Sequence, residues 1–138
     1  IYAKHLFLSG RAAPCYWTGN KKKISNLPDD EFINEMISYG GIEDEYLDNS
    51  EILEFLVCIL KNDFRIIETI NSNGEFSAVK TDISVLNGYD DREISQERVE
   101  KWNDYTEGNC TIKFYNGGHF YINSNLNEVC DYILQFCK

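Results

Sequence analysis

An α/β fold built on parallel strands is what this sequence predicts, from three observations. Three short runs, His5–Ser9, residues 83–87 and Cys110–Tyr115, have the length and content of buried strands, and each stops at a glycine turn. Apolar residues at helical spacing fill the intervals between them. Strands that alternate with helices form a parallel sheet with helices on its faces. With 43% hydrophobic and 14% aromatic residues, the 138-residue chain has the means to pack roughly one domain.

Each element has a local reason. His5-Leu6-Phe7-Leu8-Ser9, ending at Gly10, is the opening strand. Residues 11–26, with Pro14, Gly19 and Lys21-Lys22-Lys23, read as loop by composition. Pro28-Asp29-Asp30-Glu31 places a proline and three carboxylates where a helix start favours them; Phe32, Ile33, Met36 and Ile37 follow at helical spacing, and Gly40-Gly41 stops the helix. Asp48 and Glu51 have capping-box spacing ahead of Ile52, Leu53, Phe55, Leu56, Val57, Ile59 and Leu60. A helix apolar nearly all round is expected to be buried on most faces. Phe64, Ile66, Ile67 and Ile70 predict another helix, ended by Asn71-Ser72-Asn73-Gly74. The second strand, 83–87, runs into Gly88-Tyr89-Asp90-Asp91. Ser95 caps a helix carrying Val99 and Trp102 on one face. β-branched and aromatic content makes Cys110–Tyr115 the third strand, before the loop Asn116-Gly117-Gly118-His119. Asn125 with Glu128 opens the last helix, on which Val129, Ile133 and Phe136 share a face beside Cys130, Leu134 and Cys137.

Charge excludes several partners. The 13 Lys and Arg against 23 Asp and Glu leave a formal net charge of −10. That charge repels phosphate backbones and anionic membrane surfaces, so neither nucleic acid nor membrane is an expected partner. The longest apolar stretch, residues 52–60, is interrupted by Glu54 and is about half of what a bilayer crossing needs. Residues 1–9 lack the charged leader and cleavage site of a signal peptide. Five cysteines, odd in number and without C-x-x-C spacing, suit a reducing, cytoplasmic location. They lie mostly within apolar patterns, so with His5 and Trp102 they are assigned to packing. Nothing in the sequence has metal-ligand spacing.

Ligand sites of parallel sheets lie beyond the carboxyl ends of the strands, and two residues of chemical interest fall there: Asp91 after the second strand and His119 after the third. They are 28 residues apart, the interval of one strand-helix-strand crossover. Neighbouring strands at about 4.8 Å would let their loops bring carboxylate and imidazole together. An Asp that accepts from one ring nitrogen fixes the tautomer and stabilises the imidazolium, leaving the other nitrogen as general base. On spacing alone, an unrelated loop carboxylate and loop histidine is the commoner outcome. A nucleophile is missing: no serine lies in a G-x-S-x-G elbow, and Ser9 has no glycine two residues before it. Because α/β-hydrolases order their triad Ser, Asp, His along the chain, a chain with only the last two corresponds to the C-terminal portion of that fold.

Leu8-Ser9-Gly10-Arg11-Ala12-Ala13-Pro14, Leu27-Pro28-Asp29-Asp30-Glu31-Phe32, Gly40-Gly41-Ile42, Leu60-Lys61-Asn62-Asp63-Phe64, Gly88-Tyr89-Asp90-Asp91 and Gly117-Gly118-His119-Phe120 occur in this order. Together they resemble the type II, or editing, thioesterases of nonribosomal peptide and polyketide synthases, over nearly the whole chain. The resemblance implies the C-terminal part of an α/β-hydrolase: a single incomplete domain over residues 1–138, with a helical lid inserted at about 24–74. It implies a serine hydrolase that removes acyl groups from the phosphopantetheine thiol of acyl or peptidyl carrier proteins, without a cofactor. Asp91 matches the triad acid and His119 the base. Glu43 stands where the family often has proline. The serine elbow and oxyanion-hole loop fall outside these 138 residues, so the expected partners include an N-terminal segment of the same hydrolase, and the chain alone is expected to be inactive. A non-catalytic module that binds carrier protein or acyl chain is the alternative, and a hydrolase of small free esters a third reading. Lys21-Lys22-Lys23 with Arg11 would either steer docking or form a solvated loop, and the helix over 52–60 would either line an acyl pocket or serve as core.

Overall fold

The computed structural model describes residues 3–17, 23–69 and 76–137. They fall into two compact units, one from residues 1–17 and 74–138 and one from residues 18–73.

The first unit is organised by a parallel sheet. β1 (His5–Ser9), β2 (Asp82–Gly88) and β3 (Cys110–Tyr115) lie in the order β1-β2-β3, both pairings parallel. Register sets Leu6 beside Ile83, and Leu8 beside Val85, which in turn faces Ile112. The strand period of two therefore puts these apolar residues on one face and Phe7, Leu86 and Tyr115 on the other. The first face packs on Ile94, Val99 and Trp102; Val99 comes from α4 (Gln96–Glu100) and Trp102 from the 3₁₀ turn that follows it. The second face packs on Tyr121 of α5 (Tyr121–Ser124) and on Val129 and Ile133 of α6 (Leu126–Leu134). Covered on both faces and flanked by strands, β2 is buried from Ile83 to Gly88. Fully burying an Ile or Val side chain contributes about 1.5–3 kcal/mol. Its polar members are partnered inside: Ser84 Oγ lies 2.8 Å from both His5 Nε2 and Tyr132 Oη. His5 thus serves packing as expected, with its ring also 4.2 Å from that of Phe136.

The first unit departs from expectation in its caps, and Ser95, at the cap position of α4, makes no side-chain cap bond. Asn125 occupies the cap position of α6, but its amide turns back to the carbonyls of Asn116 (2.8 Å) and Tyr121 (2.6 Å) and caps nothing. α5, a short helix without a separate expectation from the sequence, supplies one of those acceptors. The cysteines depart as well. Cys15, Cys58, Cys130 and Cys137 are exposed and only Cys110 is half-buried, where burial pushes its thiol pKa up. Cys130 and Cys137 neighbour an apolar stripe without belonging to it.

In the second unit, α1 (Asp29–Ser38), α2 (Asp44–Leu47) and α3 (Ser50–Thr69) enclose a core of Phe32, Met36, Ile42 and Val57. α1 opens on Asp29, Asp30 and Glu31, as expected from the macrodipole. α3 is a single helix where the sequence suggested two, because Lys61-Asn62-Asp63 contains neither glycine nor proline to break it. Its cap is Asn49, not Asp48: Asn49 Oδ1 accepts the Ile52 N–H at 3.2 Å. Nor is α3 buried on most faces. Val57 is its one buried residue, while Phe55 and Ile66 are 65% and 66% exposed. Lys61 and Glu68 on α3 hold the chain before α1: Lys61 Nζ donates to the Leu27 carbonyl (2.6 Å), and Glu68 accepts from the Ser25 N–H (3.1 Å) and Oγ (2.5 Å). Lys21, Lys22 and residues 70–75, with the helix end expected there, lie outside the described residues. Among those that are described, no helix is long and apolar enough to cross a membrane.

Candidate active site

At the carboxyl end of the sheet, the chain leaves β2 at Gly88 and β3 at Tyr115, and the two exits run together. The Tyr89 N–H donates to the Tyr115 carbonyl (2.9 Å) and the Asp90 N–H to the Gly117 carbonyl (3.0 Å). This lacing carries Asp91 and His119 to one place. His119 Nδ1 lies 2.9 Å from Asp91 Oδ2. A carboxylate only accepts, so Nδ1 carries the proton of this bond, and in the neutral ring Nε2 keeps its lone pair.

Asp91 is held from its other side as well. Its Oδ1 accepts the N–H groups of Glu93 (2.9 Å) and Ile94 (3.1 Å). An Asp side chain that bonds backbone two and three residues on closes its own turn, which explains why the sequence bends here before α4. The Asp91 side chain is 1% exposed and that of His119 36%. A buried carboxylate against a half-exposed imidazole suits a fixed orienter and a ring that can reach a reactant. Asp90, one residue earlier, is exposed, and no hydrogen bond to its carboxylate is found among the described residues.

The His119 ring is bounded on two sides. Phe120 meets it edge to face, at 5.3 Å between centroids and 87° between planes. Gly10, just past β1, has φ +58, and a Cβ there would stand 3.4 Å from His119 Cε1. The loops after all three strands therefore converge on the imidazole. Gly10 and Phe120 escaped the sequence reading as contacts of the histidine; the only signal was their position, a glycine ending one strand and an aromatic beside the other loop's histidine.

No serine completes the group among the described residues. Ser9 Oγ bonds Tyr121 Oη at 2.8 Å. Burial pushes the Tyr121 hydroxyl pKa up, with the Ser9 bond acting the other way. The assembled pair can take a proton at Nε2 and return it, with Asp91 holding the imidazolium.

A family model described as the thioesterase domain matches residues 2–137. The chain is 27% identical over 126 residues to the thioesterase PikA5 of Streptomyces venezuelae, covering 91% of this chain and 44% of that protein. Among solved structures, ClbQ from the colibactin NRPS/PKS pathway superposes with a TM-score of 0.84 at 23% identity, over 96% of this chain and 55% of its own. YbtT, a type II thioesterase from the yersiniabactin NRPS/PKS biosynthetic pathway, has a TM-score of 0.74 at 27% identity, over 96% and 53%. The chain spans about half the length of each of these three relatives.

Proposed function

The chain belongs to the thioesterase family, and on that premise we propose that it supplies the acid and base of a Ser-His-Asp triad that hydrolyses acyl or aminoacyl thioesters on phosphopantetheinyl carrier proteins. The observation that carries this reading is the 2.9 Å bond between His119 Nδ1 and the buried Asp91. The likeness to a type II thioesterase of an NRPS/PKS pathway supports the choice of substrate.

In this mechanism, Nε2 of His119 accepts the proton of a serine hydroxyl contributed from outside these 138 residues as its oxygen attacks the thioester carbonyl. Asp91 stabilises the imidazolium that forms. Collapse of the tetrahedral intermediate breaks the C–S bond, and His119 passes the proton to the departing phosphopantetheine sulfur. Nε2 then deprotonates water, which attacks the acyl-serine. The carboxylic acid leaves as the proton returns to the serine. A segment of about residues 24–74, which takes in α1 to α3, is the lid of the hydrolase in this reading, and the serine elbow lies on an N-terminal segment that pairs along β1.

The test is thiol release from an acyl-phosphopantetheinyl carrier protein. The full-length product of the coding region is expected to release thiol, and the 138-residue chain alone is expected to be silent. Turnover by the isolated chain that disappears in His119→Ala would mean a nucleophile inside it. Faster turnover of small free esters than of the carrier thioester would contradict the substrate assignment. Binding of the acylated carrier without turnover by the full-length protein would favour the alternative, a non-catalytic binding module.

A further inference from the structure

We infer that the Asn87-Gly88 pair at the end of β2 is the positioning element that lets Asp91 and His119 meet, Gly88 by the space it leaves and Asn87 by its amide. A Cβ on Gly88 would stand 2.2 Å from the Gly118 carbonyl oxygen and 2.4 Å from that of Gly117. Neither oxygen is free to step aside. The Gly117 carbonyl accepts the Asp90 N–H at 3.0 Å, and the Gly118 carbonyl accepts the Tyr121 N–H at 3.1 Å at the start of α5. Gly88 itself has no positive φ, so what this position demands is room. The turn after β2 and the loop after β3 lie backbone against backbone because nothing projects between them.

Asn87 closes the same turn from beneath. It is fully buried, and its Nδ2 donates to the carbonyls of Gly88 and Ile94, both at 3.2 Å. The turn from Gly88 to Ile94 carries Asp91, whose Oδ1 takes the Glu93 and Ile94 N–H groups. Asn87 thus fixes the two ends of the segment, and Gly88 seats it against the histidine loop. Gly118 offers an internal contrast: a Cβ there meets nothing nearer than the Asp90 carbonyl at 3.8 Å.

The inference rests on reading Asp91 and His119 as an acid-base pair, and its test reads their hydrogen bond and not turnover. The chain has two histidines, and long-range ¹H–¹⁵N correlations of the ¹⁵N-labelled chain report the tautomer of each ring. His5, bonded to Ser84 at the opposite end of the sheet, reports that the fold is intact. His119 is expected as the Nδ1–H tautomer in the parent chain and predominantly as Nε2–H in Gly88→Ala, with His5 unchanged. Gly118→Ala is expected to leave both rings as they were. A Gly88→Ala chain with His5 intact and His119 still Nδ1–H overturns the inference. Should Gly88→Ala unfold, with His5 also losing its signature, Asn87→Ala decides: loss of the His119 Nδ1–H with His5 retained supports the inference, and its persistence overturns it. Absence of thioester turnover in the full-length protein, with these signals as expected, would remove the proposed function and leave the positioning role standing.

Discussion

Both carboxylate oxygens of Asp91 are engaged, one by His119 Nδ1 and the other by two backbone N–H groups. A side chain tied on both sides has no freedom to turn away from the imidazole, and that constraint is what distinguishes it from Asp90. Ser84 is held in the same manner in the core, fully buried between His5 Nε2 and Tyr132 Oη. Removing a hydroxyl that satisfies two partners leaves polar groups unmatched, which costs about 1–3 kcal/mol. Ser84→Ala is therefore expected to lower the free energy of unfolding by that order, read from the urea midpoint. A change indistinguishable from zero would mean that water replaces the hydroxyl.

At the scale of elements, the helical unit depends on Phe32, fully buried on α1, with the Phe64 ring 5.8 Å away edge to face and Lys61 over its own ring. Phe32→Ala should destabilise this unit by about 3–5 kcal/mol, seen as faster amide exchange across α1 and α3 with β1–β3 little changed. Asp82 ties the start of β2 to the start of β3. Its Oδ1 accepts the backbone N–H of Asn109 (2.8 Å) and the Asn109 amide (3.3 Å), and these bonds, the backbone one first, hold its carboxyl below the ordinary range. A depressed folded-state pKa gives stabilisation that is present above the unfolded value of about 3.9 and is lost as pH falls through the folded one. Thermal stability should thus drop below about pH 4, and Asp82→Asn should flatten that acid arm. Legibility in the sequence followed the same division. Strands were readable because runs such as Leu6-Phe7-Leu8 and Val85-Leu86 are short, apolar and closed by glycine; β1 and β3 have the expected limits and β2 is one residue longer at each end. The single crossover between Asp91 and His119 allowed their meeting, and the family resemblance of the two glycine loops is what singled the pair out. What could not be read was tertiary choice. Nothing in Ile52, Phe55 and Ile59 says that they stay exposed, and nothing in Asn125 says that its amide turns backward.

For the whole molecule, the two outer strands of the sheet differ in character. β3 interleaves Thr111 and Lys113, the kind of residues that blunt a solvent-facing edge, with Ile112 and Phe114, whereas β1 is apolar without interruption from Leu6 to Leu8. In a chain that spans about half the length of its relatives, that asymmetry supports the proposed pairing of an N-terminal segment along β1. Amides of His5–Ser9 should then exchange more slowly in the full-length protein than in the 138-residue chain, and equal rates would argue against the pairing. The central claim is the role of the Asp91–His119 pair, and the most direct measurement is kcat for hydrolysis of an acyl-phosphopantetheinyl carrier protein by the full-length protein and its variants. Asp91→Asn and His119→Ala are each expected to lower kcat by orders of magnitude, about 10⁴-fold for loss of a triad orienter, while Asp90→Asn stays near the parent. Full activity in Asp91→Asn, or collapse in Asp90→Asn alone, would contradict the account.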